Sequence, residues 1–153
     1  MYEVVVIVWK RRIFMQEKVI VAVDAMGGDN APAEIVKGVV DAVSQSENVI
    51  VKLVGQENVV SEELKKYTYR ENAIEIVNAT EVIETGEPPV MAIRRKKDSS
   101  IVVGLNLVKK GEADAFVSAG SSGAILVGGQ LIVGRITTFC TTHTYQEGCV
   151  ALS

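Results

Sequence analysis

The apolar residues Val19 to Val23 run unbroken and are mostly β-branched, which predicts a strand buried on both faces of a parallel sheet. From Glu34 the period changes. Ile35, Val36, Val39, Val40 and Val43 share one helical face and predict a helix ending near Gln45. Val49 to Val54 predicts a second strand, closed by Gly55. Glu57 to Tyr67 reads as a helix around Val59, Val60 and Leu64, and Ala73 to Val77 as a third strand. Val90 to Lys97 predicts a short basic helix.

Ser99 or Ser100 is the expected cap of a helix through Ile101, Val102, Leu105 and Val108. Lys109 and Lys110 complement the dipole at its end, and Gly111 stops it. Ala115 to Ser118 predicts a fourth strand, followed by a tight turn, Gly120 to Gly123, and a helix to about Gly134. Between the first strand and its helix lies the loop Asp24 to Pro32. There Asp29 or Asn30 is the expected cap, and Pro32 suits the first helical turn. Strand, loop and helix alternate throughout. That order predicts an α/β fold, a three-layer α/β/α arrangement with a mainly parallel sheet and helices on both faces.

The two ends break the pattern. Gln16 to Val21 leads straight into the first strand, so Met15 is the expected natural start and residues 1–14 an upstream extension. The alternative is that their apolar run forms an extra edge strand. Residues 15–136 then hold the domain, and residues 137–153 form an atypical tail with neither helical period nor clean alternation.

Composition narrows the class. With 48% apolar and 23% charged residues the chain has the balance of one globular domain, or of a piece of a larger one. Aromatics at 5% beside abundant Val, Ile, Ala and Gly favour an α/β core over a β-sandwich. A net charge of −3 carries no general footprint for nucleic acid. No apolar run approaches the roughly 20 residues that span a bilayer. The N-terminal apolar stretch precedes Lys10, Arg11 and Arg12, the reverse of a secretory signal, so a cytoplasmic location is expected.

In an open α/β sheet, ligands bind beyond the carboxyl ends of the strands. Three polar loops rich in small residues fall there. In the first, Gly27 and Gly28 let backbone approach a ligand, while Asp24, Asp29 and Asn30 offer acceptors and a base. It reads equally as a well-capped turn. In the second, Ser118 to Ala124, the residues Ser121, Ser122 and Gly123 open a helix, a ready anion site through free N–H groups and serine hydroxyls. It also reads as a capped helix packed closely through its glycines. It matches neither a nucleophile elbow nor a Walker loop. In the third, Arg94 to Lys97 precedes Ser99 and Ser100 at a helix start. For a lone charge run, a solvated basic face and an N-cap is the favoured reading. Together the loops point to a crevice for phosphate or another small anion.

No G-x-G-x-x-G occurs, so a nicotinamide dinucleotide is not indicated, and no cofactor is expected. Cys140, His143 and Cys149 match no familiar zinc spacing, so no metal is expected either. His143 is the only histidine and lies in the atypical tail, which speaks against a histidine-based triad.

The stretch Val21 to Pro32 followed by Glu34-Ile-Val resembles the opening of the phosphate acyltransferases of bacterial phospholipid synthesis (the PlsX family). Arg95 to Ser100, Leu107 to Gly120 and the following Ser-Ser-Gly-Ala resemble that family in the same order and spacing. The resemblance covers about residues 18–136. It implies a fold similar to phosphotransacetylases and isocitrate dehydrogenase-like proteins, acting as a homodimer. It also implies a reaction in which long-chain acyl-[acyl carrier protein] and inorganic phosphate give acyl phosphate. That product passes to a membrane glycerol-3-phosphate acyltransferase, with the enzyme working near the membrane surface.

On this reading Ser121 to Gly123 hold phosphate and Lys97 neutralises its charge. Asp24 and Asp29 orient a lysine, a serine or a water, because direct contact would repel the anion. The expected site therefore takes Lys97 and Asp29 as catalytic. Asp24, Gly27, Gly28, Asn30, Ser99, Ser100, Ser118, Gly120, Ser121, Ser122 and Gly123 are its expected binding residues. Arg94 to Lys97 is a candidate docking patch for the acidic carrier protein.

Family members are considerably longer, and the likeness stops at Gly134-Arg-Ile136. The expectation is an N-terminal half with an unrelated tail, as a frameshift or early stop would give, inactive or poorly folded alone. Two other readings stay open. One is a short-chain phosphate acetyl- or butyryltransferase using coenzyme A. The other is a non-catalytic remnant that binds an anion or acyl carrier protein.

Overall fold

The computed structural model describes residues 5–8, 18–70 and 72–134. In chain order they form β1 (Val5–Val8), β2 (Val19–Asp24), α1 (Ala33–Gln45), β3 (Val49–Gly55), α2 (Glu57–Leu64) and β4 (Ile74–Asn78). Then follow α3 (Pro89–Arg95), α4 (Ser100–Lys110), β5 (Ala115–Ser118) and α5 (Ser122–Gly128), which runs into a π-helical turn, Gly129–Val133.

One sheet carries all five strands in the order β1-β5-β2-β3-β4. β2 pairs in parallel with β3 and β5, and β3 in parallel with β4. β1 joins the outer edge of β5 antiparallel, with Val5 opposite Ser118 and Val8 opposite Ala115. Val5–Val8, within the N-terminal apolar run, thus form an edge strand. The expected tail and its Cys140, His143 and Cys149 lie outside the described residues.

Strand alternation divides the core into two layers. On β3, Leu53 faces a cluster with Val36, Val39, Val40 and Val43 of α1 and Val60 and Leu64 of α2. Its neighbour Val54 faces the opposite cluster, with Ile101, Val102, Leu105 and Val108 of α4 and with Ala22 and Phe116. Helices α3 and α5 complete that second layer through Ile93 and Ile125. The result is the three-layer α/β/α fold. Gly104 of α4 lies directly on the Phe116 ring, where a Cβ would overlap it, so helix and sheet approach more closely than any larger residue allows.

Local signals acted where expected at α4. Ser99 accepts a hydrogen bond from the Val102 N–H at 3.4 Å, and Gly111 ends the helix in the left-handed region at φ 75°. At α1 the expected cap is not used. Pro32 holds the N-cap position, where it has no side-chain acceptor, and Asn30 contributes through its carbonyl, which accepts from Glu34 N–H at 3.3 Å. α2 also stops at Leu64, short of Tyr67.

The connections place the site. From β2 the chain steps outward to β3 and β4 through α1 and α2 on one face. It then returns by way of α3 and α4 on the other face to β5, on the far side of β2. The loops after β2 and β5 therefore diverge to opposite faces. That is the switch point at which open α/β sheets bind ligands.

Candidate functional site

Asp24 ends β2 and Ser118 ends β5, side by side in the sheet, and each is only 1% exposed. The Ser118 hydroxyl donates to Asp24 Oδ2 at 2.7 Å. Ser118 Oγ in turn accepts from the Gly120 N–H at 3.0 Å. The other carboxylate oxygen, Oδ1, accepts from the Met26 N–H at 3.0 Å. A buried polar group without a partner costs about 1–3 kcal/mol. Here the partners are complete, and no buried side-chain nitrogen or oxygen among the described residues lacks one.

Glycine is required for this closure. A Cβ on Gly27 would stand 2.6 Å from Asp24 Oδ2, 2.8 Å from Gly120 N and 2.9 Å from Ser118 Oγ. Gly28 takes φ +100° against Ala119, a conformation that side chains rarely adopt. The loops after β2 and β5 thus touch backbone to backbone. Asp29 and Asn30 stand exposed on the first of them.

On the second loop, Ser121 caps α5 by accepting from the Ala124 N–H at 3.4 Å, and Ser122 is exposed. Gly123 packs on α3, where its Cβ would come within 2.9 Å of Pro89 Cγ. Helix α3 thus begins beside the opening of α5.

The far end of α3 lies elsewhere. The Asp98 carboxylate accepts from the Thr80 N–H at 3.0 Å and from the Thr80 hydroxyl at 2.5 Å, just beyond β4. Those donors hold the Asp98 carboxyl below its ordinary range, the hydroxyl being the stronger cause. Lys96 Nζ donates to Glu87 Oε1 at 2.6 Å and to the Val82 carbonyl at 2.7 Å. The Lys96 bond, with help from the Glu84 backbone, draws the Glu87 carboxyl downward. Ser99 gives its proton to the Lys96 carbonyl at 2.8 Å, and Ser99 and Ser100 are both buried. Lys97 is exposed and forms no ion pair with a described residue.

The structure therefore brings together Asp24, Gly27, Gly28, Ser118 and Gly120, with Asp29, Asn30, Ser121, Ser122 and Gly123 around them. It sets Ser99 and Ser100, which follow Lys97, against Glu81 beyond the end of β4, and β4 is two strands from β2 in the sheet. Of the four basic residues Arg94 to Lys97, Lys96 pairs with Glu87 within reach of solvent, and Arg94, Arg95 and Lys97 are exposed. The sequence marks Glu84 to Pro89 as a loop but gives no role to Thr80, Glu87 or Pro89. Only the Gly86 to Pro89 turn signal hinted at the last of these.

A family model described as fatty acid synthesis protein matches residues 19–140. Over 117 residues the chain is 53% identical to a phosphate acyltransferase of Clostridium acetobutylicum, covering 76% of this chain and 35% of that protein. It is 54% identical over 116 residues to a phosphate acyltransferase of Clostridium botulinum, again covering 76% and 35%. A phosphate acyltransferase of Clostridium kluyveri is 53% identical over 118 residues, with the same coverage. The chain thus spans about a third of the length of the curated relatives it matches.

Proposed function

The chain belongs to the fatty acid synthesis protein family, and on that premise we propose that it forms the phosphate-binding part of a phosphate acyltransferase. The reaction moves a long-chain acyl group from acyl-[acyl carrier protein] to inorganic phosphate, in phospholipid synthesis. One observation carries this reading: two glycine-bearing loops meet at the switch point above a buried Asp24–Ser118 pair. The second of those loops runs into the opening of α5 at Ser122, where the first N–H groups have no partner within the helix and suit an anion.

The chemistry asks little of side chains. A phosphate oxygen attacks the thioester carbonyl carbon, and the carbonyl π electrons move to oxygen. Collapse of that tetrahedral oxyanion expels the carrier thiolate, and the proton that hydrogen phosphate carried passes by way of water to the thiolate. A thiol of pKa about 8.5 leaves without strong acid assistance. The protein has to hold phosphate, orient it and stabilise the oxyanion. Gly27, Gly28, Asn30, Gly120 and the Ser121–Gly123 turn are proposed to receive phosphate. Asp29 is proposed to orient a donor or a water toward the phosphate. Lys97 is proposed to neutralise its charge, a role that requires the exposed Lys97 side chain to reach across from the β4 side. Arg94 to Lys97 is the proposed docking surface for the carrier protein. No helix among the described residues is long and apolar enough to cross a membrane. The reading includes a cytoplasmic homodimer, peripheral at the membrane, that hands acyl phosphate to a glycerol-3-phosphate acyltransferase.

A chimera tests it. Residues 18–134 replace the matching segment of the Clostridium acetobutylicum relative, and hydroxylamine traps any acyl phosphate. The expected result is phosphate-dependent consumption of acyl-[acyl carrier protein] thioester. Consumption of short-chain acyl-coenzyme A alone replaces the reading with the coenzyme A enzyme. A folded chimera that uses neither thioester rejects catalysis by this segment and leaves a binding remnant.

A further inference from the structure

We infer that Asp24 is a positioning residue that holds the two walls of the crevice in register without itself touching the anion; this rests on the phosphate reading above. Each oxygen of the carboxylate serves a different wall. Oδ1 accepts from Met26 N–H in the loop after β2, at 3.0 Å. Oδ2 accepts from the Ser118 hydroxyl at 2.7 Å. Because the single Ser118 proton is committed to Asp24, the Ser118 oxygen faces Gly120 as an acceptor and takes its N–H at 3.0 Å. The direction of the Gly120 peptide in the second wall thus follows from a carboxylate in the first.

The group is sealed from the ligand. Asp24 is 1% exposed, and Gly27 lies over it so closely that a Cβ there would stand 2.6 Å from Oδ2. An anion cannot enter that space. The carboxylate below the crevice acts through the peptide groups that it orients.

Asp24→Asn separates this role from simple packing, because shape is kept and one acceptor becomes a donor. The new amide then opposes either the Met26 N–H or the Ser118 hydroxyl. If it turns to Ser118, the serine proton is displaced toward Gly120 N–H, and that bond fails.

Amide hydrogen exchange and inorganic phosphate titration, both followed by NMR on the full chain, read the two levels separately. The expected result is at least tenfold faster exchange at Gly120 in D24N and S118A, with at least tenfold weaker phosphate binding in both. S118T, which keeps the hydroxyl, restores both. If D24N fails to fold, S118A and S118T carry the test. Unchanged Gly120 exchange in a folded S118A overturns the inference, as does faster exchange with unaltered phosphate affinity. If the unsubstituted chain binds no phosphate while Gly120 is released in the variants, the anion reading falls. The link between the walls then stands.

Discussion

Asp24 closes β2 and Asp98 reaches the loop that follows β4, and the two aspartates do different work. Asp24, at the β2/β5 switch point, is buried and accepts from two neutral donors. Asp98, beyond β4, is exposed and clips a loop to Thr80. Next to it Lys96 and Glu87 pair within reach of solvent. At the switch point, close backbone approach excludes water, so each polar atom needs a protein partner. Around the exposed Asp98 and the partly exposed Lys96 and Glu87, water can replace a partner that is lost. Burial, more than residue type, decides which of the two regions resists change.

The largest expected effect comes from Gly27→Ala. Its Cβ would collide with backbone and with a buried carboxylate, neither of which can yield cheaply. A loss of about 3 kcal/mol is expected, read from the urea midpoint; a loss below half of that would mean that the two loops are not tightly joined. Ser118→Ala comes next. It strips a donor from Asp24 and an acceptor from Gly120 without adding bulk. About 2 kcal/mol should be lost. A neutral outcome would show that water already reaches the pair.

Lys96→Met tests the opposite region. Its two bonds are partly exposed, and such pairs contribute little. The melting temperature should fall by about 2 °C, clearly less than for S118A. Equal shifts would erase the distinction between the two regions.

The smallest effect is a pH dependence at Asp98. Its folded-state pKa is lowered by the Thr80 hydroxyl and N–H, so the stabilisation is fully present above the ordinary carboxylate range. It fades as pH falls through the folded value, below about 4. The melting difference between the unsubstituted chain and D98N should narrow over that interval. A gap that stays constant would show that the clip does not depend on the ionised group.

Much of the fold was readable along the chain. The apolar run at Val19 to Val23, the helical spacing from Ile35 to Val43, the Ser99 cap and the Gly111 stop each became the element they predict. Such signals act within a turn or two of helix or strand. The loops at the strand ends were readable for the same reason, since glycines and short polar residues mark them locally. The cap of α1 was not readable in this way: Asp29 and Asn30 are the expected caps, but Pro32 takes the N-cap position with no side-chain bond, and Asn30 contributes its carbonyl instead.

By itself, then, the sequence determined the elements, their alternation and the residue types available at each strand end. Only the tertiary structure decided that β5 lies beside β2 and that Asp24 meets Ser118 across 94 positions. It also decided that Lys96 turns to Glu87 while Lys97 stays in solvent. Hydrophobic period says that a strand must be covered on both faces but not which strand is its neighbour. Loop closure grows only slowly more costly with length, so separation along the chain does not select that partner. The choice falls to the packing of both sheet faces at once, and the site is assembled where that choice places β2 and β5 together.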